Sequence, residues 1–188
     1  KMEIVDGLAS DGLLIIPEAE PLLKPLTKNL TQRVQTFGIG SGDVDATVEK
    51  EEKTETNFKV ANDHFMIPLP GSYNVTNALI AYTVGRFFGL SIEEIRLGLA
   101  NVAVTQNRTE WLTAGNGASI LSDVYNANPT AMGLVLDTFG QLPSEGRRIA
   151  VLADMLELGP DSLQMHASMS EHIKPDKYAV IFLYGQQM

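Results

Sequence analysis

Cysteine is missing from all 188 residues. That one absence excludes a disulfide framework, a thiolate zinc site, an iron–sulfur cluster and a cysteine nucleophile. Positive charge is scarce as well: 14 Lys and Arg face 23 Asp and Glu, which leaves a net charge of −9 and a pI near 4.7. A chain with that balance is poorly suited to neutralising a phosphate backbone, so nucleic-acid binding as a main task is disfavoured. No apolar run approaches the roughly 20 residues that span a bilayer, and Lys1 to Asp6 lack the basic-then-apolar order of a signal peptide. The reading is a cytoplasmic protein without membrane insertion. With 44% hydrophobic residues the chain can bury one large core or two small ones.

The short apolar run Gly12 to Pro17, bounded by turn formers, predicts a buried strand, and Val34 to Gly38 predicts another. The GIGSGD stretch that follows has glycines at 38, 40 and 42, but Asp43 stands where a dinucleotide fingerprint needs its third glycine, so it reads as a plain turn. Asp43 to Val60 alternates roughly between apolar and polar, the pattern of solvent-facing antiparallel strands, with the charge run Glu49 to Lys53 as a solvated turn. A helix opens after Gly71, with Val75, Ala78, Leu79 and Tyr82 on one face and Gly89 as its stop. Ser91 and Glu94 then form a capping box ahead of Ile92, Ile95 and Leu99.

From Ala118 the pattern alternates between strand and helix, which argues for a parallel sheet with crossover helices. The expected strands are Ser119 to Val124, Ile149 to Ala153 and Tyr178 to Tyr184. Asn128 and Pro129 start the intervening helix, whose Met132, Val135, Leu136 and Phe139 share a face. The fold class is therefore α/β, with a domain boundary near Thr105 to Arg108.

In such sheets ligands sit beyond the carboxyl ends of the strands. The first strand end carries Asp123, Tyr125, Asn126 and Asn128; the second carries Asp154 and Glu157. The first cluster reads either as N-cap chemistry or as a ligand site, the second as loop acids or as part of the same site. Asn74 and Asn77 lie i to i+3 on the helix after Gly71, where one amide can cap the helix and the other can read the donor and acceptor edge of adenine. Arg108 is either a surface ion-pair partner or a planar fork for phosphate or sugar oxygens. His166, on a helix from Ser162 to Ile173, reads as a half-buried structural histidine.

Taken in order, GSYNVTNALIA, NRTE (Asn107 to Glu110), SDVYNANPTAM and LADMLELG resemble the Mur ligases of peptidoglycan synthesis, over Lys1 to about Gly185. YNANP with DMLELG is similar to the branch of that family that adds D-alanyl-D-alanine to UDP-N-acetylmuramoyl-tripeptide. The resemblance implies that residues 1–105 form the rear part of a central ATP-binding domain, and residues 106–188 a Rossmann-like parallel-sheet C-terminal domain, incomplete at its C-terminus. It also implies ATP and Mg2+, with the substrate carboxylate activated as an acyl phosphate that the incoming amine attacks. Asn77, with Asn74, matches the adenine-contacting position, Arg108 and Asp123 match the pair that holds the nucleotide, and Asp123 falls on the ribose hydroxyls. Tyr125, Asn126, Asn128, Asp154 and Glu157 would face the incoming dipeptide. Lys1 matches the family's carbamylated lysine, a catalytic group that coordinates magnesium. Domain closure about Thr105 to Arg108 would assemble the site.

Two departures stand out. Tyr73 occupies the place of a usual histidine, and no G-x-x-x-x-G-K-[ST] loop occurs to cradle the β- and γ-phosphates. A piece lacking that loop and the domain that grips the UDP-sugar is expected neither to hydrolyse ATP nor to make a peptide bond. Its strand Tyr178 to Tyr184 would be an exposed apolar edge able to pair with another copy. The rival readings are another Mur or folylpolyglutamate-type ligase, and a non-catalytic Rossmann-like binding module.

Overall fold

A computed structural model of the chain describes residues 2–103 and 105–188. Their contacts divide the chain into two compact units. The first runs to Glu51 and continues in Glu55–Pro68 and Ser72–Val102; the second comprises Glu52–Thr54, Leu69–Gly71 and Ala103–Met188.

In the first unit β1 (Leu13–Pro17), β2 (Arg33–Ile39), β3 (Val44–Glu51), β4 (Thr56–Val60) and β5 (Asp63–Ile67) form one sheet in chain order. Leu14 and Ile16 of β1 are buried with Val5 in a small apolar cluster. GIGSGD is a turn with no helix behind it. Gly40 and Gly42 have φ of 71° and 94°, and a Cβ on Gly42 would come within 3.0 Å of the Phe37 backbone. The Asp43 carboxylate closes the turn, accepting from Thr36 N at 2.9 Å and Thr36 Oγ1 at 3.1 Å. The chain thus doubles back so that β3 starts beside Phe37 and pairs parallel to β2.

Alternation over residues 43–60 does not therefore produce antiparallel neighbours throughout: β3, β4 and β5 are antiparallel, while β1, β2 and β3 are parallel. The alternation buries one face of this region, at Val44, Ala46, Phe58 and Val60. Glu49 to Glu51 belong to β3 rather than to a turn; Glu49 meets His64 Nδ1 at 2.8 Å, and Glu51 accepts from Ser72 N at 3.1 Å.

That contact starts α1 (Ser72–Phe87), which buries Val75, Ala78 and Leu79 and lies against β2 and β3. Gly89, at φ 81°, ends the run. The box that starts α2 (Ile92–Ala100) is complete: Glu94 N donates to Ser91 Oγ at 3.2 Å and Ser91 N to the Glu94 carboxylate at 2.8 Å. Ile95 and Leu99 are buried, and α2 packs on β5.

In the second unit β6 (Glu110–Thr113) and β7 (Ser119–Ser122) form an antiparallel hairpin. The run expected as the first parallel strand therefore pairs with an upstream strand that the sequence reading missed. Its loop turns on Asn116 and Gly117, the latter at φ 83°, and closes with Ala114 N donating to Ala118 O at 2.9 Å. The parallel pair is β8 (Ile149–Ala153) with β9 (Val180–Tyr184). Between the hairpin and β8 runs α3 (Pro129–Gln141), and α4 (Ser162–Ser168) is extended by a 3-10 turn, Met169–His172. Leu136, Ala150, Leu152 and Tyr178 make the core, with Met132, Phe139 and Ile181 packed on it.

Candidate functional site

The residues singled out in the second unit lie on three segments: Arg108 ahead of β6, Asp123 to Asn128 after β7, and Asp154 and Glu157 after β8. Asn107, Arg108 and Thr109 precede β6, and Asn107 and Thr109 both adopt left-handed backbone, at φ 61° and 48°. That is uncommon for asparagine and a strained outlier for β-branched threonine. The residues ending β7 hold the loop there. Asp123 Oδ1 accepts from Thr109 N at 2.9 Å, Asn107 O accepts from Tyr125 N at 3.1 Å, and Ser122 Oγ donates to Asn107 Oδ1 at 3.3 Å. Glu110 adds a fourth contact, accepting from Asn107 N at 2.8 Å. Arg108 is exposed, its Cζ 4.4 Å from the centroid of the Tyr125 ring.

Asn128 caps α3, its Oδ1 accepting from Ala131 N at 2.9 Å, with Pro129 as the first helical residue. Asn126 is exposed. In the β8 loop both Asp154 oxygens are taken: Oδ2 accepts from Gln186 N at 2.9 Å, and Oδ1 from Gln187 N at 3.0 Å and Met188 N at 2.8 Å. Desolvation alone would raise the Asp154 pKa, but these three amide donors together outweigh it and hold the carboxyl below its ordinary value. Gly185, at φ 129°, is what lets the chain close over this carboxylate, since a Cβ there would fall 2.2 Å from Asp154 Cγ. Glu157 is exposed and left-handed at φ 62°.

His166 is more deeply buried than expected, at 3% exposure. Its Nε2 accepts from Met155 N at 2.8 Å and its Nδ1 lies 2.7 Å from Ser162 O, a pairing that requires the proton on Nδ1. It therefore pins the β8 loop to α4. In the first unit Asn74 is buried in the opening turn of α1 and Asn77, one turn on, is exposed; Glu51 accepts from Ser72 N at the start of the helix. Lys1 lies outside the described residues.

Asn107 and Thr109 are the site residues that the sequence reading left without roles. The available signal was an asparagine, the residue that best tolerates left-handed backbone after glycine, beside an arginine with no helix around it. Nothing in the sequence marked Gln186 to Met188 as partners of Asp154.

With a mixed β unit followed in the chain by an α/β unit, the protein belongs to the Mur ligases: residues 1–85 match the Mur ligase middle domain and residues 107–188 the Mur ligase, glutamate ligase domain. Within the family it is similar to proteins named UDP-N-acetylmuramoyl-tripeptide–D-alanyl-D-alanine ligase, or MurF. The relative from Bacillus subtilis is 35% identical over 99% of this chain and 41% of its own length. Among solved structures, a MurF from Acinetobacter baumannii superposes with a TM-score of 0.89 at 26% identity, over 99% of this chain and 41% of that one. MurF from Thermotoga maritima, solved in complex with ADP, shares the fold with a TM-score of 0.76 at 21% identity, over 98% of this chain and 46% of that one. The chain thus spans about 41% of the length of the Bacillus relative. No described helix is long and apolar enough to cross a membrane.

Proposed function

We propose that these residues serve an ATP-dependent ligase that joins D-alanyl-D-alanine to UDP-N-acetylmuramoyl-tripeptide in peptidoglycan synthesis. The observation that carries the reading is the pair YNANP and DMLELG within a chain that aligns over nearly its whole length with ligases of that name. Residues 1–105 then act as the rear part of the ATP-binding domain and residues 106–188 as the domain that receives the dipeptide.

ATP supplies the phosphoryl group that activates the carboxylate. Asn77, exposed on α1, presents an amide suited to the adenine edge, while buried Asn74 supports the turn beneath it. Arg108 offers in-plane donors to phosphate oxygens, balancing the charge that builds as the acyl phosphate forms. Asp123 spends one oxygen on the loop and turns the other to a ribose hydroxyl. Asn126 and Glu157 face the dipeptide, and Asn128 and Asp154 hold the backbone around them. Among the described residues no group of three or more His, Asp and Glu is placed to hold a metal ion.

In the gene product that contains these residues, phosphate release should require ATP, UDP-N-acetylmuramoyl-tripeptide and D-alanyl-D-alanine together, with a product heavier by the dipeptide. Equal turnover with L-glutamate in place of the dipeptide would move the assignment to a folylpolyglutamate-type ligase.

A further inference from the structure

Arg108 is presented unusually well for a surface arginine. Asn107 and Thr109 on either side of it are both left-handed, and the segment that fixes them, Ser122 to Tyr125, also supplies the ring on which the guanidinium lies. Among the described residues no carboxylate or carbonyl accepts a hydrogen bond from the Arg108 side chain. A guanidinium stacked on a ring engages its face and keeps its five in-plane N–H donors for a ligand. An unstacked arginine would spread over many rotamers and lose that order on binding.

We propose that Tyr125 is a positioning residue: it holds the Arg108 fork edge-on to a phosphate-type oxyanion instead of meeting the dipeptide itself. The oxyanion is the nucleotide's if the function proposed above is right, so the inference rests on that reading. Asn107 and Asp123 set the loop, and Tyr125 sets the plane of the fork.

The test uses the 188-residue chain labelled with 15N-arginine, titrated with ATP and followed at the Arg108 Nε–H resonance. In the wild type this resonance should be shifted by the ring current of Tyr125 and should move on ATP addition. Tyr125→Phe, which keeps the ring, should bind as the wild type does. Tyr125→Leu should lose the ring-current shift and bind about five- to tenfold more weakly, the equivalent of one lost cation–π contact. Arg108→Lys, which keeps the charge but not the plane, should weaken binding similarly and covers the case in which the leucine variant misfolds. Equal ATP affinity in the wild type, Tyr125→Leu and Arg108→Lys would overturn the positioning role and leave the nucleotide reading standing. A ring-current shift that is present while ATP leaves Arg108 unmoved in the wild type would overturn both the nucleotide reading at this residue and the inference built on it.

Discussion

Tyr178 gives the sharpest energetic test of the second unit. It is 6% exposed, its ring lies 6.1 Å from that of Phe139, and its hydroxyl donates to Leu136 O on α3. Burial pushes the phenol up to about 12, with Asp137 adding to the shift. Tyr178→Phe keeps the ring and deletes the hydrogen bond. The carbonyl it leaves also accepts within the helix, so the loss at pH 7 should be about 1 kcal/mol, the ordinary net worth of such a bond. A phenol raised from its ordinary value near 10 to about 12 contributes stability in full below pH 10 and loses it as pH rises towards 12. At pH 11 that linkage takes about 1.4 kcal/mol from the wild type alone, or roughly half of that once solvent screening at the hydroxyl is allowed for. The advantage of the wild type over Tyr178→Phe should therefore shrink to a few tenths of a kcal/mol, or vanish, by pH 11. Urea melts at pH 7, 9, 10 and 11, followed through the fluorescence of Trp111, the only tryptophan and a member of the same unit, measure it. A gap that stays constant from pH 7 to 11, or an absorbance titration of the variant that still shows a tyrosine ionising near 12, would refute the reasoning.

Ser91→Ala should destabilise the first unit by about 1 kcal/mol through loss of the cap. Hydrogen bonds from the Ser91 side chain and backbone hold Glu94 below its ordinary value, a contribution present above pH 4.5 and lost as pH falls through the lowered pKa. Acid unfolding should thus begin at higher pH in the variant, and coincident acid transitions would count against it. Asp154→Asn removes an acceptor oxygen from the Gln186, Gln187 and Met188 amides, which should exchange hydrogen markedly faster than in the wild type; unchanged exchange would show that the carboxylate does not hold that segment. Gly117→Ala meets open space but keeps φ 83°, so circular dichroism melts should show a loss of about 1 kcal/mol from backbone strain alone. The 188-residue chain by itself should release no phosphate from ATP, since it has no G-x-x-x-x-G-K-[ST] loop, and a malachite green assay decides it.

The helices were legible because each carries its own punctuation. Ser91 with Glu94, Asn128 with Pro129, and Gly89 after α1 are local signals, and their geometry follows within one turn of chain. Strand pairing was less so. Alternation reports which residues face a core but not which neighbour a strand takes, and β2 and β3 become parallel only because Gly40 and Gly42 double the chain back. The hairpin of β6 and β7 was announced by Asn116-Gly117 between two apolar runs. It was overlooked because β7 also fits the opening of a strand and helix alternation.

At the site the same limit has a different consequence. Side chains expected to meet ligand do so only with whatever capacity the fold leaves them, and spacing alone does not show that capacity. Asn128 gives its oxygen to Ala131, and Asp154 gives both of its oxygens to backbone beyond β9, about thirty residues downstream. Arg108 is the reverse case: a residue that by pattern alone reads first as a surface ion-pair partner has a ring beneath it and, among the described residues, no acceptor for its donors. Its neighbours account for the difference, because Asp123 and Asn107 hydrogen-bond to the loop rather than to the guanidinium. The polar residues of SDVYNANP therefore spend their hydrogen bonds on backbone and loop, and among the described residues none of them takes up the Arg108 donors, so the second outcome depends on the first.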